Sequence, residues 1–81
     1  MTAEQSREAV LGALAEVAPE ADLSALPEDA DLREWLDIDS LDFLNVVIAI
    51  NERTGVEIAE RDYPRLVTLA DCVTYLSGVT A

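Results

Sequence analysis

Apolar positions recur along this chain in separate helical runs, and the polar residues between them mark where each run starts and stops. Thr2 followed by Gln5 has the spacing of a capping box. Val10, Leu11, Leu14, Val17 and Ala18 then recur at helical spacing until Pro19 closes the run, which predicts a first helix over residues 3–17. Glu4, Glu8 and Glu16 fall off this stripe and read as a solvated face.

The longest apolar run begins at Asp39-Ser40-Leu41. Asp39 or Ser40 caps a second helix that continues to about Thr54 and stops at Gly55. Leu41, Leu44, Val47, Ile48 and Asn51 give one stripe, which Phe43, Val46 and Ile50 widen. So apolar a helix is expected to be buried on most of its circumference, with Leu44 in the core. Asp42, Asn45, Ala49, Glu52 and Arg53 remain for the exposed side. Farther on, Val56 and Ile58 return the chain across the core, and Glu60 to Tyr63 can form one short turn before Pro64. Thr68 with Asp71 caps a last helix set by Leu69, Cys72, Val73 and Leu76 and ending near Gly78.

Residues 18–38 form a long connection marked by Pro19 and Pro27. Loops of this length are uncommon in compact domains unless their own side chains pack them. Leu23, Leu26, Leu32, Trp35, Leu36 and Ile38 are expected to pin this one across the bundle, with Trp35 as a packing anchor. The pattern predicts an all-α fold: three main helices, one short helical turn and a long first loop, in a single domain over residues 1–81.

Composition changes this picture in two ways. The 81 residues carry a net charge of -12 with no histidine, but about half of them are apolar, so disorder is disfavoured. The charge is also uneven. Residues 1–42 hold twelve acids against Arg7 and Arg33, and the remainder holds five acids against Arg53, Arg61 and Arg65, leaving -10 and -2. Such a field repels nucleic acid and anionic lipid, favours basic partner surfaces, and should let salt or divalent cations raise the melting temperature. Cys72 is the one cysteine, and its place on an apolar stripe marks a buried thiol. No internal disulfide can form, and no run reaches membrane-spanning length, so a cytoplasmic monomer with no membrane insertion is expected.

Candidate chemistry narrows quickly. Without histidine there is no ready proton shuttle near neutral pH, and a nucleophilic Ser40 has only carboxylates close in sequence. Asp37-Ile38-Asp39 begins like a calcium loop, but Leu41, Asp42 and Ile48 stand where that loop needs an oxygen ligand, glycine and glutamate. No catalytic or metal residue is assigned. What remains is a helix-start serine whose hydroxyl faces solvent. A phosphodiester there would meet the positive end of a helix dipole, although Asp39 and Asp42 would repel it.

Leu36 to Leu44, reading L-D-I-D-S-L-D-F-L, resembles the phosphopantetheine attachment motif of acyl carrier proteins. The likeness continues through the second helix, the E-x-x-G-V-E-I segment ending at Ile58, and the T-L-x-D-x-V-x-Y-L segment from Thr68 to Leu76. The resemblance implies a non-enzymatic four-helix carrier bundle. It implies that Ser40 accepts 4′-phosphopantetheine from coenzyme A through a phosphopantetheinyl transferase, and that the arm's thiol holds acyl groups as thioesters. It places Val47, Ile50, Ile58, Leu66 and Leu69 along the acyl-chain pocket. It places Asp39, Leu41, Asp42 and Glu52 on the docking surface for acyl-loading and acyl-transferring biosynthetic enzymes.

Several residues depart from the family pattern. Asp37 replaces a usual glycine, Ala59 a frequent proline, and Asn45, Asn51 and Arg53 stand on a helix that is typically acidic. Tyr63-Pro64 is unusual in the short third helix, and Arg61 and Arg65 add positive charge nearby. These point to a dedicated carrier for a polyketide, specialised fatty-acid or related pathway. An aminoacyl or peptidyl carrier, and an unmodified carrier-like structural subunit, are the alternatives.

Overall fold

A computed structural model of the chain describes residues 1–79, and among them four α-helices and two 3-10 turns follow one another with no strand. Helix α1 spans Ala3–Val17, α2 Leu32–Leu36, α3 Ser40–Thr54 and α4 Leu69–Val79, with the 3-10 turns at Leu23–Ala25 and Glu60–Arg65. Helix α1 packs against both α3 and α4. None of these helices is long and apolar enough to cross a membrane.

The predicted start of α1 is present in both directions: Gln5 N–H donates to Thr2 Oγ1 at 3.1 Å, and Thr2 N–H donates to Gln5 Oε1 at 2.9 Å. Val10, Ala13 and Leu14 enter the core, while Leu11 and Val17 are half-buried. Ser6 lies fully buried on the same face, and its hydroxyl is satisfied by the Thr2 carbonyl at 2.9 Å. That bond offsets the cost of taking a hydroxyl out of water at a core position.

The long connection holds structure that the apolar pattern missed. Asp31 caps α2 by accepting from the Arg33 and Glu34 amides at 3.0 and 3.2 Å. Five residues are too few to show periodicity, but Asp31 with Glu34 three residues on was a usable signal. Leu26 and Leu32 pin this segment, being buried in the core. Two backbone bonds fasten it to the chain before α4: Leu32 N–H to the Val67 carbonyl at 2.8 Å, and Ala70 N–H to the Glu28 carbonyl at 3.1 Å. Trp35 is not the anchor expected of it. It is 37% exposed: although it lies one turn beyond the buried Leu32, α2 ends one residue later and does not carry the indole into the core.

Helix α3 has the expected bounds, with Gly55 left-handed at φ 74° ending it. Its orientation corrects the sequence reading. The buried side is Val46, Val47, Ala49 and Ile50, whereas Leu41, Leu44 and Ile48 are 66%, 38% and 46% exposed. At 3.6 residues per turn these three leucine and isoleucine positions fall within about 60° of one another, opposite Val46. The apolar residues thus form two stripes, and packing on α1 selects the one containing Ala49. Gly12 helps: a Cβ there would lie 2.6 Å from the Arg53 guanidinium, which crosses α1 at that point and reaches Glu16 at 3.6 Å. Asn51 is committed internally, its Nδ2 donating to the Val56 carbonyl at 2.9 Å. Past α3, the short turn extends through Pro64 to Arg65, and Thr68 and Asp71 form the predicted box at α4, with bonds of 3.0 and 3.3 Å.

Candidate functional site

Ser40 is the first residue of α3, and Asp39 is its cap. The Asp39 carboxylate accepts from the Asp42 amide at 2.9 Å, so the capping role belongs to Asp39 and the Ser40 side chain is spared. Ser40 is exposed, and its hydroxyl makes no hydrogen bond among the described residues.

The approach to Ser40 is set by the end of α2. Asp37 adopts the left-handed conformation at φ 54°, the one non-glycine residue to do so among those described. Its amide donates to the Glu34 carbonyl at 3.3 Å, and the Ile38 amide donates to the Arg33 carbonyl at 3.0 Å. This paired arrangement is a Schellman closure, which favours glycine at the left-handed position. Asp37 fills it at some conformational cost, since a short polar side chain is tolerated there better than most. The turn reverses the chain within three residues and delivers Ser40 beside α2.

Ser40 opens on a cleft of about 510 Å³ between α2, the start of α3 and the Glu60–Arg65 turn. Phe43, Leu44, Pro64, Leu66 and Val67 supply its apolar wall, and Asp31, Arg33, Glu60 and Tyr63 its polar groups. Phe43 and Tyr63 meet edge-to-face, with centroids 6.0 Å apart and planes at 74°. The Arg33 guanidinium stands 6.0 Å from the Phe43 centroid. Tyr63 also walls a second hollow of about 430 Å³ with Val47, Ile48, Asn51 and Ile58.

Of the five expected pocket residues, Leu66 therefore lines the Ser40 cleft, and Val47 and Ile58 line the neighbouring hollow. Ile50 and Leu69 lie in the core and line neither. Of the expected docking residues, Asp39, Leu41 and Glu52 are exposed and Asp42 is half-buried. Leu44 and Ile48 join that outer side. Arg33, Phe43 and Tyr63 were not picked out as site residues by sequence. Phe43 was absorbed into the helix stripe, and nothing local distinguishes Arg33.

The titratable groups that shift lie away from this cleft. Burial pushes the Cys72 thiol up to about 12, with Asp71 adding to the effect, so it is inert near neutral pH. Burial also raises the Tyr75 phenol, as does its hydrogen bond to Asp62 at 2.9 Å. Among the described residues no cluster of histidine, cysteine and carboxylate groups could hold a metal ion.

The geometry suits a group that begins in a phosphodiester and continues as a flexible chain. A free hydroxyl stands at a helix start, a cation stands nearby, and an apolar wall continues from both. Residues 8–76 match the family model for a phosphopantetheine attachment site. An acyl carrier protein of Campylobacter hominis is 34% identical over 76 residues, covering 94% of this chain and 90% of that one. An acyl carrier protein of Acidothermus cellulolyticus is 33% identical over 78 residues, covering 93% of each chain. The solution structure of a candidate acyl carrier protein from Anaplasma phagocytophilum superposes with a TM-score of 0.86 at 24% identity, over 100% of this chain and 94% of that one, and so shares the fold.

Proposed function

The chain belongs to the phosphopantetheine-attachment family as an acyl carrier protein, and on that premise we propose that Ser40 is the residue that takes the arm. The protein is a carrier, not a catalyst, and its cofactor is covalent 4′-phosphopantetheine. In the proposed attachment, the Ser40 oxygen bonds to the pantetheine-bearing phosphorus of coenzyme A. The pyrophosphate link breaks, adenosine 3′,5′-bisphosphate leaves, and the serine proton passes to a base on the transferase. The arm supplies a thiol that holds acyl groups as thioesters.

The observation that carries this reading is the exposed, unbonded hydroxyl of Ser40 at the mouth of the cleft. The test is to incubate the protein and Ser40→Ala with coenzyme A and a promiscuous phosphopantetheinyl transferase, then read intact mass. Gain of one phosphopantetheine in the parent and none in the variant is expected. An unmodified parent protein overturns the reading and leaves the structural-subunit alternative.

Leu41, Leu44 and Ile48, bordered by Asp39, Asp42 and Glu52, support a docking face for acyl-loading and acyl-transferring enzymes with apolar, basic-rimmed surfaces. Residues 1–81 act as one carrier domain. The pathway we favour is a dedicated one, polyketide or specialised fatty-acid. Tyr63 and Arg33 beside the cleft support it, because they make the space near Ser40 more polar and more divided than a plain alkyl slot requires.

A further inference from the structure

We propose that Arg33 is the positioning residue for the phosphodiester of the arm, a proposal that rests on attachment at Ser40. The negative charge introduced there would arrive between the side chains of Asp39 and Asp42 at the start of α3. Among the described residues lining the cleft with Ser40, Arg33 is the one cation. Among the described residues it forms no ion pair, although Asp31 and Glu60 line the same cleft; Arg61, outside the cleft, also forms none, whereas Arg7, Arg53 and Arg65 each reach a carboxylate. Its neighbour is the Phe43 ring, which orients a guanidinium without neutralising it.

Its backbone is fixed to the same turn that delivers the serine. The Arg33 carbonyl accepts from the Ile38 amide at 3.0 Å, two residues before Ser40. The backbone that carries the guanidinium is therefore fixed by secondary structure, and its side chain and Ser40 line the same cleft. Two of its donors can serve a phosphate in a planar, paired fashion while its face remains against Phe43. Held in this way, the arm would leave the phosphate along the wall of Phe43, Leu66 and Val67, and its thiol would spend less time in open water.

The test is a thermodynamic cycle. Melting temperatures of unmodified and mass-verified modified protein are measured at low salt for the parent, Arg33→Gln, Arg33→Lys and Arg61→Gln. Arg61 is an exposed arginine outside the cleft lining and controls for the loss of one positive charge. Arg33→Gln should lower the modified form by about 3–6 °C more than the unmodified form, as a modest charge pairing does in a domain this small. The excess should shrink with salt, and the phosphorus-31 resonance of the modified protein should move. Arg33→Lys should restore part of the excess, and Arg61→Gln should shift both forms equally. Loss of the Phe43 stack alone would affect both forms alike. Equal shifts in the two forms of Arg33→Gln, with an unmoved phosphorus resonance, overturn the proposal while leaving attachment intact. Failure of the parent to gain mass overturns attachment and this proposal together.

Discussion

On one side of α3, Val46, Val47, Ala49 and Ile50 join residues of α1 and α4 in the core; on the other, Leu41, Leu44 and Ile48 meet solvent. The side chains are of similar kind, yet one set is held by packing and the other is left free beside acids. The exposed set contributes less to the stability of the isolated chain and leaves part of its apolar surface in solvent. The same contrast holds for the two serines that matter. Ser6 is buried with its hydroxyl bonded to the Thr2 carbonyl, whereas the Ser40 hydroxyl has no partner among the described residues.

Truncating the inner side of α3 should have the largest effect. Ile50 is 1% exposed, and Ile50→Ala should cost about 2–5 kcal/mol in denaturant unfolding. A loss well below that range would mean that the core can close around the gap.

The core thiol gives the next effect, through pH. Cys72 has its pKa raised from 9.0 to about 12 in the folded protein, so the folded state holds the proton more tightly than the unfolded state. The stability this contributes is fully present below about pH 9 and is lost as the pH rises toward 12, on the order of a few kcal/mol over the whole range. Urea midpoints should fall across this window. Cys72→Ala should flatten that fall, leaving the smaller share of the same sign from Tyr75, whose phenol is also raised. In thiol-labelling assays near neutral pH, the native unmodified protein should read close to zero and the modified protein close to one.

Leu44→Ala probes the outer side. At 38% exposure it should cost about 1 kcal/mol, clearly less than Ile50→Ala, while weakening capture by acyl-handling enzymes. Asp37→Gly should move stability the other way, gaining on the order of 0.5–1 kcal/mol by relieving a left-handed non-glycine residue. The smallest change is expected from Ser40→Ala. Asp39 carries the cap, so the melting temperature should move by less than about 0.5 kcal/mol would produce. A large loss there would return the capping role to Ser40.

Legibility differed between elements for identifiable reasons. The bounds of α1 and α3 and the box at α4 follow from residues three apart or from a glycine at a helix end, so they were readable. Helix α2 was missed because one turn cannot display a period, and Trp35 was misplaced with it. The side of α3 that would be buried was misjudged because both of its stripes are apolar. Asn51 and Arg53 looked like unusual surface residues, yet one holds the Val56 carbonyl and the other lies across Gly12. Ser40 was singled out from its place at a helix start and from the motif around it, and the structure places it, exposed, on the cleft. The cleft beside it was not found, since its walls come from three segments distant in the chain.

Readable from the chain alone were the bounds of α1, α3 and α4, the place of Ser40 at the start of α3, and the place of Cys72 on an apolar stripe. These are local properties, set by caps, periodicity and backbone preference within a few residues. It took the folded chain to show which face of α3 is buried, that Asp39 and not Ser40 carries the cap, and that Arg33 lines the Ser40 cleft with no ion pair among the described residues. Burial and charge pairing depend on what the rest of the chain brings alongside: α1 covers the side of α3 that holds Ala49, and Gly12 leaves room there for the Arg53 guanidinium.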